Sequence, residues 1–357
     1  RMEPKFEAKS YAPSSVLTSS DELQVIGGRR YKTGNVQPQK NSNDEDAGEQ
    51  LEFAKLYFLR TTSKGLADFE NALRTGSNES DAWRNEVMSI RSFDLLEPGE
   101  KILGFDAEWK EGLVEAVLHP LQESAEDAVD LFCKAAGLGR DEDGVTFIAA
   151  QLSREATMAA ARINPLRTVH PMGRIAFEPI RSAMSAPAPQ VAAAQNVPPV
   201  TVGVFDGGCN PNVPLLSGYV NAHDAVASLP DQDGIDHGTG VCGAVLHGEL
   251  SGKGASDVLP APEVKVESFR VLPPSDPIDI DLYESIDAIE YVVGHNPDIQ
   301  LYNLSFGPAG PILDDDISRF TYALDVLSYN RDAEPPLFCI AAGNDGDLPS
   351  PDNRVQS

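Results

Sequence analysis

The sequence predicts an α/β domain built on a parallel sheet with helices on both faces, preceded by a small α+β domain. Three observations lead there. From residue 200 onward, apolar segments without strict alternation, "VTVGVFD", "EVKVESFRVL", "IQLYNLSFG" and "PLFCIAAGN", recur between helical patterns. Strands of that composition are buried on both faces. An Ala- and Pro-rich stretch at 181–199, "RSAMSAPAPQVAAAQNVPP", reads as an extended tether between two domains. The chain's 357 residues also exceed what a single core usually sustains.

Residues 1–52 are polar and end in the acidic "NDEDAGEQLE", so they are expected to form a flexible acidic arm. Over 53–180, "FAKLYFL", "EGLVEAVLHP" and "GVTFIAAQLS" read as strands, and "SKGLADFENALR", "SAEDAVDLFCKAAG" and "REATMAAARI" as helices. "NPLRTVHPM" follows without a clear pattern. In the unit at 200–357, "GTGVCGAVLHG", "LYESIDAIEYVVGH" and "ISRFTYALDVLSYN" supply the helices between the strands. No repeat of solenoid period occurs.

Charge and cysteine usage exclude several classes. With 55 Asp and Glu against 28 Lys and Arg, the net charge is -27. Phosphate backbones and anionic membranes are therefore poor partners. No apolar run approaches the roughly 18 residues of a membrane helix. The four cysteines, Cys133, Cys209, Cys242 and Cys339, form no close-spaced pair in sequence, and the amino terminus has no signal-peptide pattern. A cytoplasmic, bacterial setting is the resulting expectation.

Three stretches carry chemistry, each at a strand's carboxyl end or a helix start, where open α/β sheets place their ligands. "VGVFDGG" ends an apolar strand in Asp206 and two glycines. "DHGTGVCGAVLHG" sets His237 before a helix rich in small residues. "IAAGND" runs a buried strand into a turn and Asn344, whose amide can donate to a developing oxyanion. His119, His170, His223, His247 and His295 have no comparable setting. Each stretch alone is an ordinary turn or helix start.

Taken in the order Asp206, His237, Asn344, separated by 31 and 107 residues, they resemble the subtilisin-like serine proteases, the subtilases of peptidase family S8. "YNLSFGP" is similar to that family's Asn-x-Ser-x-Gly strand, and "SDVLPAPEVKVESFRVL" to its second core strand. The resemblance covers about residues 200–350 and implies a serine endopeptidase. His237 would be the general base, Asp206 would orient and stabilise its ring, and Asn344 would complete the oxyanion hole. Leu304, Ser305, Phe306 and Gly307 would pair with an extended substrate peptide, and Ala341 and Gly343 would wall the adjoining pocket. The domain at 53–180 would correspond to a prodomain or an accessory domain.

The chain departs from the family pattern in three ways. Gly240 replaces a common histidine, Cys242 replaces an alanine, and Cys209 follows Asp206 by three residues. No serine has the family's Gly-Thr-Ser context, so the nucleophile is expected beyond residue 357, on a remainder of the catalytic domain that completes the sheet. That remainder could equally be a separate chain. No cofactor is required, although Asp279, Asp281 and the run at 314–316 are compatible with structural calcium.

Two other functions fit parts of the sequence. A catalytically inactive relative would keep the shape as a binding module. Gly238, Gly240 and Gly243 also satisfy G-x-G-x-x-G, with Glu267 at a suitable distance for a ribose in a dinucleotide-binding oxidoreductase. That motif requires a strand directly before it, and "SLPDQDGID" is turn-like.

Overall fold

The computed structural model describes residues 1–2, 12–17, 22–32, 53–76, 80–119, 125–136, 147–173, 188–193, 196–272, 282–307, 317–329 and 334–341. The amino-terminal region contains two small sheets. In the first, β1 (Gln24–Lys32) pairs antiparallel with β2 (Phe53–Arg60), and α1 (Ser14–Leu17), α2 (Ser63–Thr75) and α3 (Asp81–Val87) lie beside it. Val16, Leu23, Phe69 and Trp83 form its core. Thr62 and Ser80 begin α2 and α3 by accepting hydrogen bonds from Gly65 N and Trp83 N, the usual N-cap geometry.

The expectation of a free arm at 1–52 is thus corrected for part of that segment. β1 pairs with β2 along its length except at a bulge between Val25 and Gly27, and Met2, Val16, Leu17 and Leu23 are buried. The apolar residues are few and spread along a polar segment, so averaged polarity hid a strand. The acidic run at 41–50 lies outside the described residues.

After α4 (Pro98–Lys101), the second sheet comprises β3 (Glu111–Leu118), β4 (Phe147–Ser153) and β5 (Leu166–Pro171), antiparallel in the order β4-β3-β5. The helices α5 (Ala125–Ala136) and α6 (Arg154–Ala160) pack on it through Ala128, Phe132, Ala160, Val114 and Leu166. β5 is the element that "NPLRTVHPM" concealed. Part of the expected tether is also docked: β6 (Gln190–Val191) runs parallel to β9 (Val258–Leu259), with Gln190 N donating to Asp257 O at 3.0 Å.

The carboxyl-terminal unit holds β7 (Val200–Asp206), β8 (Val220–Asp224), α7 (Gln232–His247), β10 (Val264–Arg270), α8 (Leu282–His295), β11 (Leu301–Leu304), α9 (Arg319–Ser328) and β12 (Leu337–Ile340). Its sheet has the order β12-β11-β7-β10-β8, every pair parallel. Alternation along β7 divides the core. Val202 and Val204 face α7 with Cys242 and Leu246, whereas Phe205 faces α8 and α9 with Phe269, Ile286, Ile289 and Phe320. Helices therefore cover both faces, as expected for an α/β sheet.

Gly203 and Tyr302 are register partners, and a Cβ on Gly203 would lie 2.3 Å from the Tyr302 ring. That ring is fully buried between Phe205, stacked at 4.9 Å, and Phe338 at 5.8 Å. The aromatic row spans β7, β11 and β12.

The antiparallel sheet packs against α8 and α9. Met172, Leu113 and Ala149 join their core, and Phe147 lies 5.3 Å from Tyr322. Glu115, 2% exposed, accepts hydrogen bonds from Arg319 N at 3.1 Å and Tyr283 Oη at 3.1 Å, with His170 Nε2 3.2 Å away. A strand carboxylate thus caps a helix 204 residues further along the chain.

Candidate active site

Asp206 ends β7, the middle strand, where the sheet delivers it beneath α7. Its side chain is fully buried. Gly207 N donates to Oδ1 at 2.7 Å, and His237 Nδ1 lies 2.9 Å from Oδ1 and 3.0 Å from Oδ2. His237 retains 24% of its side-chain exposure, so the ring joins a buried carboxylate to the surface.

Packing between loop and helix fixes this geometry. A Cβ on Gly238 would lie 2.0 Å from the Gly208 carbonyl oxygen and 3.1 Å from Asp206 Cβ, so only glycine permits the helix to approach. Gly208 adopts φ +118°, a conformation that L side chains rarely take. Thr239 Oγ1 accepts from Asn210 N at 2.9 Å and donates to Ile235 O at 2.6 Å, fastening the loop to the helix a second time.

The electrostatics of the pair are opposed. Burial pushes the Asp206 carboxyl above the ordinary carboxylate value, against the hydrogen bonds from His237 and Gly207. His237 is raised above its ordinary value, chiefly by its hydrogen bond to Asp206, against the effect of its own burial. An Asp-held Nδ1–H leaves Nε2 of the neutral ring as the basic nitrogen, the arrangement a general base requires.

α7 begins at Gln232, five residues before His237, and not after His237 as the sequence suggested. "SLPDQDGID" reads as a turn, yet its last residues form the first helical turn. Gly238, Gly240 and Gly243 therefore lie inside a helix, away from any strand-to-helix turn that could cradle a pyrophosphate. Glu267 instead bonds Asn221 at 2.9 Å and sits 2.7 Å from His223 Nε2.

The remaining site residues divide. Leu304 and Phe306 point into the core, and the Leu304 carbonyl accepts Ala341 N at 2.9 Å, so that carbonyl is already used within the sheet. Ser305 Oγ donates to Asn303 Oδ1 at 2.8 Å, and Gly307 is exposed with open space where a Cβ would be. Ala341 directly follows β12 and is exposed. Gly343 and Asn344 lie outside the described residues, as do Asp279, Asp281 and the acidic run at 314–316. Among the described residues no cluster of metal-ligating side chains occurs, and no helix is long and apolar enough to cross a membrane.

Sequence reasoning missed Arg270, 3% exposed at the end of β10. It donates to Asp224 Oδ1 at 2.6 Å, Val226 O at 2.9 Å and Ser228 O at 2.5 Å. Its stem also lies against Gly208, 3.3 Å from where a Cβ would be. A lone arginine in "VESFRVL" carries no signal of this role.

Residues 199–356 match the model of the subtilase family. Similar solved structures include fervidolysin from Fervidobacterium pennivorans, a keratinolytic enzyme related to subtilisin, at 17% identity and TM-score 0.37, covering 70% of this chain and 43% of that one. MycP1 with its N-terminal propeptide removed matches at 25% identity and TM-score 0.27, over 42% of this chain and 44% of its own. The epidermin leader peptide processing serine protease of Staphylococcus aureus matches at 15% identity and TM-score 0.36, over 66% and 61%. The chain thus spans less than two thirds of each of these structures. No curated protein matches it. Over residues 199–356, its parallel-sheet segment, the chain is thus similar to the subtilase family.

Proposed function

We propose that residues 200–357 form part of the catalytic unit of a serine-type endopeptidase. The observation that carries this reading is the buried Asp206 bonded to His237 Nδ1 at the carboxyl end of the central parallel strand. In the proposed reaction His237 removes the proton of a serine hydroxyl and later returns it to the leaving amine, while Asp206 holds the tautomer and stabilises the imidazolium. Asn344 donates to the tetrahedral oxyanion, a contribution on the order of 3–4 kcal/mol in barrier height. The nucleophile comes from polypeptide beyond residue 357, either continuous or a separate chain, because a polarised Asp–His pair has no hydrolytic use without one.

The substrate is an extended peptide, read by backbone hydrogen bonds to Ser305, Phe306 and Gly307 and walled by Ala341 and Gly343. Exposed Gly307, without a side chain, supports close backbone approach there. No cofactor takes part. Treating the full-length native protein with a fluorophosphonate probe and mapping the labelled peptide tests the proposal. The expected label falls on a serine beyond residue 357. An unlabelled full-length protein would instead be an inactive binding module, and a label within 1–357 would overturn the assignment of the site.

A further inference from the structure

Below the Asp206–His237 pair, two thiols meet. Cys209 belongs to the loop leaving β7, three residues after Asp206, and is partly exposed. Cys242 lies on α7, five residues after His237, and is fully buried. The neighbours of Cys209 are held against the turn of α7 before Cys242, Gly208 by packing on Gly238 and Asn210 by its bond to Thr239 Oγ1 at 2.9 Å, and both sulfurs belong to one cluster with Val202, Val204 and Val266. Ser268 on β10, 1% exposed and in the strand beside β7, has a buried Oγ with no hydrogen-bond partner among the described residues. A buried hydroxyl without a conventional partner is costly and needs an explanation. A site that must accommodate a change of charge or bonding at sulfur supplies one.

We propose that Cys209 and Cys242 are a redox-active dithiol that a hydroperoxide closes to a disulfide, cross-linking the loop that carries Asp206 to the helix that carries His237. Cys209 is the attacking sulfur and Cys242 the resolving one. Cys209 is the more accessible, and its neighbour Cys242 holds it below the ordinary thiol value, whereas Cys209 and burial push Cys242 up. The Cys209 thiolate attacks one peroxide oxygen, the O–O bond breaks, and hydroxide leaves to take up the thiol proton, giving a sulfenic acid and water. The Cys242 sulfur then attacks the Cys209 sulfur. An S–S bond forms, and the sulfenic hydroxyl departs with the Cys242 proton as a second water. Two thiols lose two electrons and the peroxide is reduced by two.

Closure is mechanically open on the loop side. Gly207 and Gly208 precede Cys209, and glycine backbone adapts at low cost. A bond of about 2.05 Å replacing a thiol contact draws that loop toward α7. Since Gly208 already touches Gly238, the movement is transmitted to Asp206 and changes its alignment with His237.

The test has two readouts, neither of which requires peptide hydrolysis. Native protein is treated with hydrogen peroxide, its remaining thiols are alkylated, and its peptides are mapped. The expected product joins the Cys209 and Cys242 peptides, and Cys242→Ser traps Cys209 as a sulfenic acid that dimedone captures. Recovery of both residues as alkylated thiols, with exposed Cys339 oxidised instead, would overturn the proposal. In parallel, imidazole resonances of reduced and oxidised protein are titrated. The midpoint of His237 should fall toward the free-histidine value on oxidation and return with dithiothreitol. A cross-link that leaves that midpoint unmoved would overturn the coupling to the Asp206–His237 pair.

Discussion

Asp206 is fully buried yet accepts hydrogen bonds from Gly207 N and His237 Nδ1. Asparagine at this position would retain the shape and present an amide that favours the wrong imidazole tautomer. Asp206→Asn should therefore lower turnover by about four orders of magnitude with substrate binding largely kept. A steady-state comparison of kcat and KM checks this, and a mild effect on kcat would remove Asp206 from the catalytic role. Because His237 is raised by its bond to Asp206, and the base must be neutral, activity should rise with pH through an apparent value above about 6.5. The stabilising effect of protonated His237 runs in the opposite sense. It is fully present below the unfolded value of about 6.5 and lost as pH rises through the higher folded one. A kcat/KM profile centred below 6.5 would contradict both. Asp206 and His237 were legible in the sequence because each sits in a short stretch whose neighbours, two glycines in one and a Gly-Thr-Gly in the other, serve the same close approach. Glu115 was not, since a glutamate in "EGLVEAVL" reads as an exposed position and its partners are far along the chain.

At the scale of elements, the approach of α7 to the loop after β7 rests on Gly238. The methyl of alanine would meet the Gly208 carbonyl, which is backbone and cannot rotate aside. Gly238→Ala should cost about 1–3 kcal/mol of stability by overpacking, together with a loss of activity. Urea unfolding of the two proteins measures it, and an unchanged midpoint would show that the helix has room to shift. Legibility of the elements follows burial. β7 and β10 are covered on both faces and announce themselves as apolar runs. β8, "VNAHD", is an edge strand in which only Val220 is buried, so nothing in its composition distinguishes it from a loop. β1 is interrupted by Gly27 and Gly28, and the brief β5 ends in His170 and Pro171. Their strand character comes from pairing with β2 and β3.

At the scale of the whole molecule, the amino-terminal region touches the parallel-sheet segment through α8 and α9, where Glu115 is buried. Glu115→Ala would remove the carboxylate that accepts from the Arg319 amide and the Tyr283 hydroxyl, costing about 1–3 kcal/mol. Equilibrium unfolding checks the figure, and a change within 0.5 kcal/mol, roughly the scatter of surface substitutions, would show that the contact contributes nothing. The same packing motivates a functional expectation in which the amino-terminal region restrains the site. Removing residues 1–199 from the full-length protein should then increase peptide hydrolysis, and unchanged or lost hydrolysis would make that region an accessory domain.

The Tyr302 ring lies over Gly203 and between two further rings, so the two register partners occupy one volume between them. Any side chain gained at position 203 must be matched by one lost at position 302. Descent should therefore have left the two positions correlated: relatives that keep glycine keep a large ring opposite it, and those that carry a larger residue at 203 carry a small one at 302. The space above the central strand is inherited jointly, and neither position is free to drift alone.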